Sequence, residues 1–267
     1  MTAARIADTF QRLRARGETG LITFVTAGWP DLETTERLVL GMAAAGADLI
    51  ELGVPFSDPL ADGPVIQQAS QAALARGVNL EEILALAARL RTKTDIPLVL
   101  MSYYNPILAF GPAALAAAAA RAGIDGFIVP DLPLEESGPL LALTDGCGLA
   151  LIPLVAPTST PRRVAAIARR ARGFVYCVSM TGVTGAAAAY SGRLAEVCHL
   201  VRTHTDLPLA VGFGIGSPGQ VREFAPLGDA LVVGSALMKR IGGARAHAAV
   251  SAAQEMVLDL KRALVKI

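Results

Sequence analysis

Eight short runs rich in Val, Ile, Leu and Phe recur along the chain, and most carry apolar residues at successive rather than alternate positions. They are LITFVTA from Leu21, ADLIELGV from Ala47, IPLVLMSYY from Ile96, GFIVP from Gly126, LALIPLVAP from Leu149, GFVYCVS from Gly173, LPLAVGFG from Leu207 and DALVVGSA from Asp229. A strand apolar on both faces must be covered on both faces, which is the situation of a parallel sheet flanked by helices. Alanine- and leucine-rich segments with helical periodicity fill the gaps, among them LETTERLVLGMAAAG, LEEILALAARLRTKT, PAALAAAAARAG and TPRRVAAIARRARG, and several end in glycine, a common helix stop. Uninterrupted strand–helix alternation predicts an α/β fold. Eight units in this length fit a (β/α)8 TIM barrel. The alternative, an open doubly wound sheet, usually opens on a Gly-rich turn; the first turn here, TAGWPD, has no GxGxxG. No linker interrupts the pattern, so residues 1–267 are expected to form one domain. Ile6, Phe10 and Leu13 share a helical face ahead of the first strand and predict an N-terminal amphipathic helix. The longest gap, after the second strand, predicts extra helices beginning near Val65 and Leu80; long βα loops in barrels tend to be functional.

Composition removes several function classes. The 267 residues carry a formal net charge of +1, with no Lys/Arg cluster dense enough for nucleic-acid binding. The three cysteines, Cys147, Cys177 and Cys198, show no metal-ligand spacing, so no metal is expected, and their usage suits a reducing cytoplasmic setting. The N-terminus lacks the continuous apolar core of a signal peptide. Ile96 to Ala120 is free of charge, but Pro97, Asn105, Pro106, Gly111 and Pro112 break it, which excludes a membrane span there.

In such barrels the active site lies at the C-terminal ends of the strands. The polar residues there are Glu51 after the second strand, Asn105 after the third, Asp131 after the fourth and Tyr176 within the sixth. Glycines mark the last three strand ends: Gly182 to Gly185, Gly212 with Gly214 around Phe213, and Gly234 before Ser235. Glycine lets a backbone N–H approach an anion closely, and a helix start adds its dipole, so these three turns predict a phosphate site; ordinary β-to-α turns also favour glycine. Glu51, flanked by aliphatic residues in DLIELGV, is either a carboxyl with raised pKa suited to proton transfer or one half of a buried ion pair. Asp58 in SDP and Asp62 in LADGP read most simply as turn residues, although Glu51 and Asp62 together could divide acid/base and electrostatic roles in one pocket. His199, His204 and His247 fall in helical segments away from strand ends, and Cys177 reads as core.

The segment ELGVPFSDPLADGPVIQQA resembles the signature of the tryptophan synthase alpha subunit family. FVTAGWPD, MSYYNPIL, GIDGFIVPDLPLEES, YCVSMTGVTGA and VGFGIGSPGQV continue the resemblance in the same order along nearly the whole chain. The resemblance implies a barrel enzyme that cleaves indole-3-glycerol phosphate to indole and glyceraldehyde 3-phosphate. It implies Glu51 and Asp62 as catalytic residues, Tyr176 as the family's tyrosine in the sixth strand, and Gly182, Gly185, Gly212, Gly214, Gly234 and Ser235 as the phosphate loops. Phe24, Leu100 and Phe213 are the apolar neighbours expected to hold the indole. It also implies a partner, a pyridoxal-phosphate-dependent beta subunit in an αββα assembly that receives the indole through a tunnel; no cofactor is expected in this chain. Asp58 matches a position facing that partner. Some members have SRSGVTG where this chain has SMTGVTG, and Met180 cannot make an arginine's bidentate contacts.

Three other readings compete. One is another phosphate-binding barrel, such as a sugar-phosphate isomerase or aldolase; a Schiff-base aldolase needs a strand-end lysine, and Lys93, Lys239, Lys261 and Lys266 all lie outside the expected strands. A non-catalytic activator of a partner is disfavoured by the intact Glu51 and Asp62. A stand-alone indole-releasing lyase differs from the family reading only in lacking the partner.

Overall fold

The computed structural model describes residues 3–178, 187–212, 214–244 and 248–264. Among them nine parallel strands run β1 (Gly20–Thr26), β2 (Leu49–Gly53), β3 (Leu98–Met101), β4 (Gly126–Ile128), β5 (Ala150–Ile152), β6 (Leu154–Val155), β7 (Val175–Val178), β8 (Leu209–Gly212) and β9 (Ala230–Val233). The helices are α1 (Ala4–Arg16), α2 (Leu32–Ala44), α3 (Pro64–Leu74), α4 (Leu80–Arg91), α5 (Tyr104–Phe110), α6 (Pro112–Arg121), α7 (Gly138–Gly146), α8 (Pro161–Arg170), α9 (Ala187–Arg202), α10 (Pro218–Phe224), α11 (Ser235–Gly243) and α12 (Ala249–Leu264). The N-terminal helix and both extra helices of the β2–β3 connection stand where the sequence places them. Among the described residues no helix is long and apolar enough to cross a membrane.

The spatial order is β5-β4-β3-β2-β1-β9-β8-β7-β6. Eight strands were expected and nine are present because Pro153 divides the fifth: β5 pairs with β4 and β6 with β7. A proline has no N–H to give to a ladder, so the sheet's seam falls there. The continuous backbone from Ile152 to Leu154 closes the barrel at this point, and Tyr176 N–H still bonds to the Pro153 carbonyl at 3.0 Å.

Side chains of the strands alternate between two cores. Ile22, Leu49, Val99, Ile128, Ile152, Ala210 and Val232 fill the barrel interior, and α1 seals its lower end with Ile6, Phe10 and Leu13. The Phe10 and Phe174 rings meet there at 5.7 Å. The intervening residues, such as Leu21, Ile50, Leu52, Leu98 and Leu100, pack outward against the helices.

The register at the lower end is held by a repeated device. Asp48, Asp125 and Asp229 each immediately precede a strand, and each accepts a backbone N–H near the start of the neighbouring strand: Leu21 at 2.7 Å, Leu98 at 2.8 Å and Leu209 at 2.8 Å. Cations complete each carboxylate: Lys261 on Asp48, Arg5 and Arg91 on Asp125, and Arg202 on Asp229. The AGAD and AGID segments that lead into β2 and β4 therefore pin strand pairs together at the end of the barrel away from the site. Helix starts are fixed locally: Asp31 accepts from Thr34 N–H at 2.6 Å to cap α2, and Asn79 with Glu82 forms a capping box on α4.

Candidate active site

A cavity of about 920 Å3 opens at the C-terminal ends of the strands. Glu51 and Tyr176 lie at its barrel end, Asp62 and Asp131 on its rim, and Gly212, Gly214, Gly234 and Ser235 along one wall. Parity on each strand explains the gathering. Phe24 on β1 is in register with Glu51 on β2, and both point inward, one layer above the apolar pair Ile22 and Leu49.

Two glycines make room for two rings. A Cβ at Gly53 would lie 2.4 Å from the Phe24 ring, and a Cβ at Gly212 would lie 2.7 Å from both the ring edge and the hydroxyl of Tyr176. Each aromatic can lie flat across a neighbouring strand end only because the residue beneath it has no side chain.

Glu51 is 1% exposed. Its Oε1 has no hydrogen-bond partner and no cation pairs with it among the described residues. Burial without compensation pushes its carboxyl up to about 8. Of the two readings left open by the sequence, the geometry thus favours a proton-exchanging carboxyl over a buried ion pair. Tyr176 is raised well above the usual phenol value, first by burial and then by the Glu51 charge. Asp62 is half-buried on the loop between β2 and α3; burial raises its carboxyl and the Tyr103 hydroxyl opposes that rise.

The glycine wall ends in the start of α11. Gly234 is the N-cap of that nine-residue helix, and Ser235 is its first residue. Free N–H groups and the positive end of the helix dipole therefore face the cavity. Gly214 has φ of 62°, a left-handed turn that favours glycine.

Not every expected residue is at this site. Leu100, expected as a wall of the apolar pocket, is fully buried among the outward-facing residues that pack on the helices. Its neighbour Met101 lines the cavity instead. The physical reason is the two-residue period of a strand: Val99 belongs to the barrel interior, so Met101 points the same way and Leu100 the opposite way. Asp58 is exposed, takes a hydrogen bond from the Ser57 hydroxyl, and does not line the cavity. It shares the loop with Leu60, which is 95% exposed. Asn105 lies exposed in α5, away from the cavity. Gly182, Gly185, Phe213, Met180 and His247 lie outside the described residues. Val129, Ile152, Leu154, Val178 and Val232, which the sequence reading did not single out, add an apolar lining; strand parity counted from Glu51 would have found most of them. Among the described residues no group of three His, Cys, Asp or Glu side chains is arranged to hold a metal ion.

A model of the family described as tryptophan synthase alpha chain matches residues 10–265. The tryptophan synthase alpha chain of Citrifermentans bemidjiense is 56% identical over 236 residues, 88% of each chain. That of Picosynechococcus sp. is 47% identical over 260 residues, covering 97% of this chain and 98% of the relative. A solved structure of tryptophan synthase subunit alpha from Legionella pneumophila matches with a TM-score of 0.89 and 33% identity, over 97% of this chain and 98% of that one. A solved structure of a protein from Aquifex aeolicus matches with a TM-score of 0.89 and 38% identity, over 98% of this chain and 99% of that one. With a barrel built around a buried carboxyl and a glycine-lined wall, and a match over almost its full length, the chain belongs to the tryptophan synthase alpha chain family.

Proposed function

We propose that this chain, read as one barrel domain over residues 1–267, is a lyase that cleaves indole-3-glycerol phosphate to indole and glyceraldehyde 3-phosphate. The observation that carries the reading is Glu51, a buried, uncompensated carboxyl on the cavity floor whose pKa of about 8 leaves it protonated at neutral pH. That is the state a general acid needs.

The reaction follows from this. Glu51 gives its proton to C3 of the indole ring, which turns the ring into an electron-accepting leaving group. The resulting carboxylate takes the proton of the adjacent glycerol hydroxyl. Electrons of that O–H bond form the aldehyde, and the broken C–C bond returns its electrons to the ring. Glu51 ends protonated, as it began. Asp62 at the rim accepts the indole N–H and stabilises the positive charge that builds on the protonated ring. Phe24, Met101 and Tyr176 enclose the ring. The α11 N-terminus with Gly212, Gly214, Gly234 and Ser235 holds the phosphate, and Gly182 and Gly185 belong to the same role by family resemblance. Anchoring the phosphate fixes the reacting carbon, which converts binding into orientation.

This chemistry uses side chains alone, so no cofactor is assigned to the chain. The partner proposed is a tryptophan synthase beta subunit, carrying pyridoxal phosphate, in an α2β2 assembly within the cytoplasm. Asp58 and the exposed Leu60 sit on the loop offered to it. The test is release of indole from indole-3-glycerol phosphate by the purified chain, alone and with a beta subunit. Indole release that Glu51→Gln abolishes supports the reading. A wild-type chain that releases none in either condition overturns it.

A further inference from the structure

We propose that Tyr103 is the positioning residue for Asp62, clamping the loop that carries it against the third and fourth strands. The proposal rests on the functional role just assigned to Asp62. Tyr103 is 5% exposed and is not on the cavity surface, so its hydroxyl has no direct access to substrate.

The clamp has a fixed end and a held end. At the fixed end, the backbone on both sides of Tyr103 is tied to the β4 region: Ser102 N–H donates to the Ile128 carbonyl at 3.0 Å, and Tyr104 N–H donates to the Asp131 carboxylate at 2.9 Å. At the held end, the Tyr103 hydroxyl accepts the Ala61 N–H at 2.9 Å, which sets it beside the Asp62 carboxyl, whose rise it opposes. Its ring also stacks obliquely on Phe56 of the same loop, with centroids 5.3 Å apart. One side chain thus grips the loop at residues 56 and 61, immediately before Asp62.

Elsewhere the loop is tied to the strands at its start, where Val54 N–H donates to the Met101 carbonyl at 2.8 Å. Asp62 N–H bonds back to the Pro59 carbonyl at 3.1 Å and the Gln67 amide reaches the Asp62 carbonyl at 2.9 Å, both contacts within the loop and the start of α3. Between that start and α3, Tyr103 is the side chain whose hydrogen bond relates the Asp62 segment to the strands. A hydroxyl that donates to a carboxylate favours its ionised form, the form Asp62 needs in order to accept an indole N–H. The titratable group acting on Asp62 is Tyr103, and the further acid acting on Tyr103, besides Asp62 itself, is Asp131.

Tyr103→Phe removes the hydroxyl and keeps the ring. Three readouts are expected. The Ala61 amide should exchange its hydrogen at least about tenfold faster, because its bond partner is gone. The kcat should fall about tenfold with KM within twofold, since orientation of a transition-state contact is lost while the phosphate anchor remains. The acid limb of the kcat profile should move to higher pH, because the carboxylate loses a donor; the deficit is then largest in acid and shrinks as pH rises. In an Asp62→Asn background the same substitution should cost no further activity. Unchanged exchange at Ala61, or an equal loss in the Asp62→Asn background, overturns the proposal. Phe56→Leu, which leaves the hydroxyl in place, should raise Ala61 exchange less than Tyr103→Phe does; the reverse order also counts against the clamp. If the wild-type chain releases no indole with or without a beta subunit, the functional reading fails by itself, and Ala61 exchange on the same proteins still decides whether Tyr103 holds the loop.

Discussion

Glu51 and Tyr176 share the floor of the cavity from strands on opposite sides of the barrel: β2 and β7 lie four places apart in a closed round of eight strand positions. One is a carboxyl buried without a cation, the other a buried phenol whose proton is held more tightly by the carboxylate charge. Neither side chain would be placed here for stability. The pair costs folding energy wherever Glu51 is ionised, and that cost is measurable.

The sign of the cost is fixed by the raised pKa. Between the ordinary glutamate value of 4.5 and about 8 the unfolded chain has released the Glu51 proton while the folded chain keeps it. Stability attributable to this group is therefore full in acid and is lost as pH rises through that window. Glu51→Gln removes the dependence. The variant should match the wild type near pH 4 and exceed it by roughly 3–5 kcal/mol at pH 9, while kcat falls about a thousandfold. Chemical denaturation at the two pH values checks the first, steady-state kinetics the second. Equal stability curves for the two proteins would contradict an unpaired buried carboxyl.

Gly234 separates charge from bulk at the proposed phosphate wall. A Cβ there would meet the Phe24 Cβ at 3.4 Å, an ordinary contact, and φ is −116°, so a side chain fits. Gly234→Ala should keep KM within a few-fold. Gly234→Asp places a negative charge at the α11 N-terminus and should raise KM about 10- to 100-fold, a cost of roughly 1.4–2.7 kcal/mol. Equal KM values for the two variants would remove this wall from phosphate binding.

Leu100 and Met101 differ by one position and should differ in kind. Leu100→Ala opens a cavity between sheet and helices and should cost about 2–5 kcal/mol of stability with KM unchanged. Met101→Ala empties part of the pocket wall and should raise KM several-fold, with a smaller loss of stability because Met101 is only partly buried. Thermal melts and kinetics on the two variants separate the roles.

Asp125 sits at the opposite end of the barrel from the cavity, fully buried between Arg5 and Arg91. Asp125→Ala leaves the Arg5 guanidinium and the Leu98 N–H without their acceptor and strips Arg91 of its counter-charge, though Arg91 keeps its carbonyl acceptors, and should cost about 3–5 kcal/mol. Its kcat, measured below the melting transition, should equal that of the wild type. A selective loss of kcat would show that the lower register reaches the site.

The sequence by itself determined the alternation of elements, the N-terminal helix, the extra helices after β2 and the acid at the end of an apolar strand. These are local properties: runs of apolar residues, helix caps and the glycines and prolines that end elements act over a few neighbours and are legible as spacing. Glu51 could be singled out because an acid among aliphatics is an anomaly on any strand. The tertiary structure alone decided which side chains meet. Leu100 and Met101 look alike in sequence, and only strand parity relative to the barrel axis sends one to the helices and the other to the cavity. Pro153 reads as one residue in an apolar run, yet it sets the seam because two different neighbours must pair on either side of it. Tyr103 and Asp62 are 41 positions apart, and nothing in their spacing announces the contact. Glu51's raised pKa has the same origin: burial without a partner is a property of everything packed around a group, and the chain supplies that only once the barrel has closed.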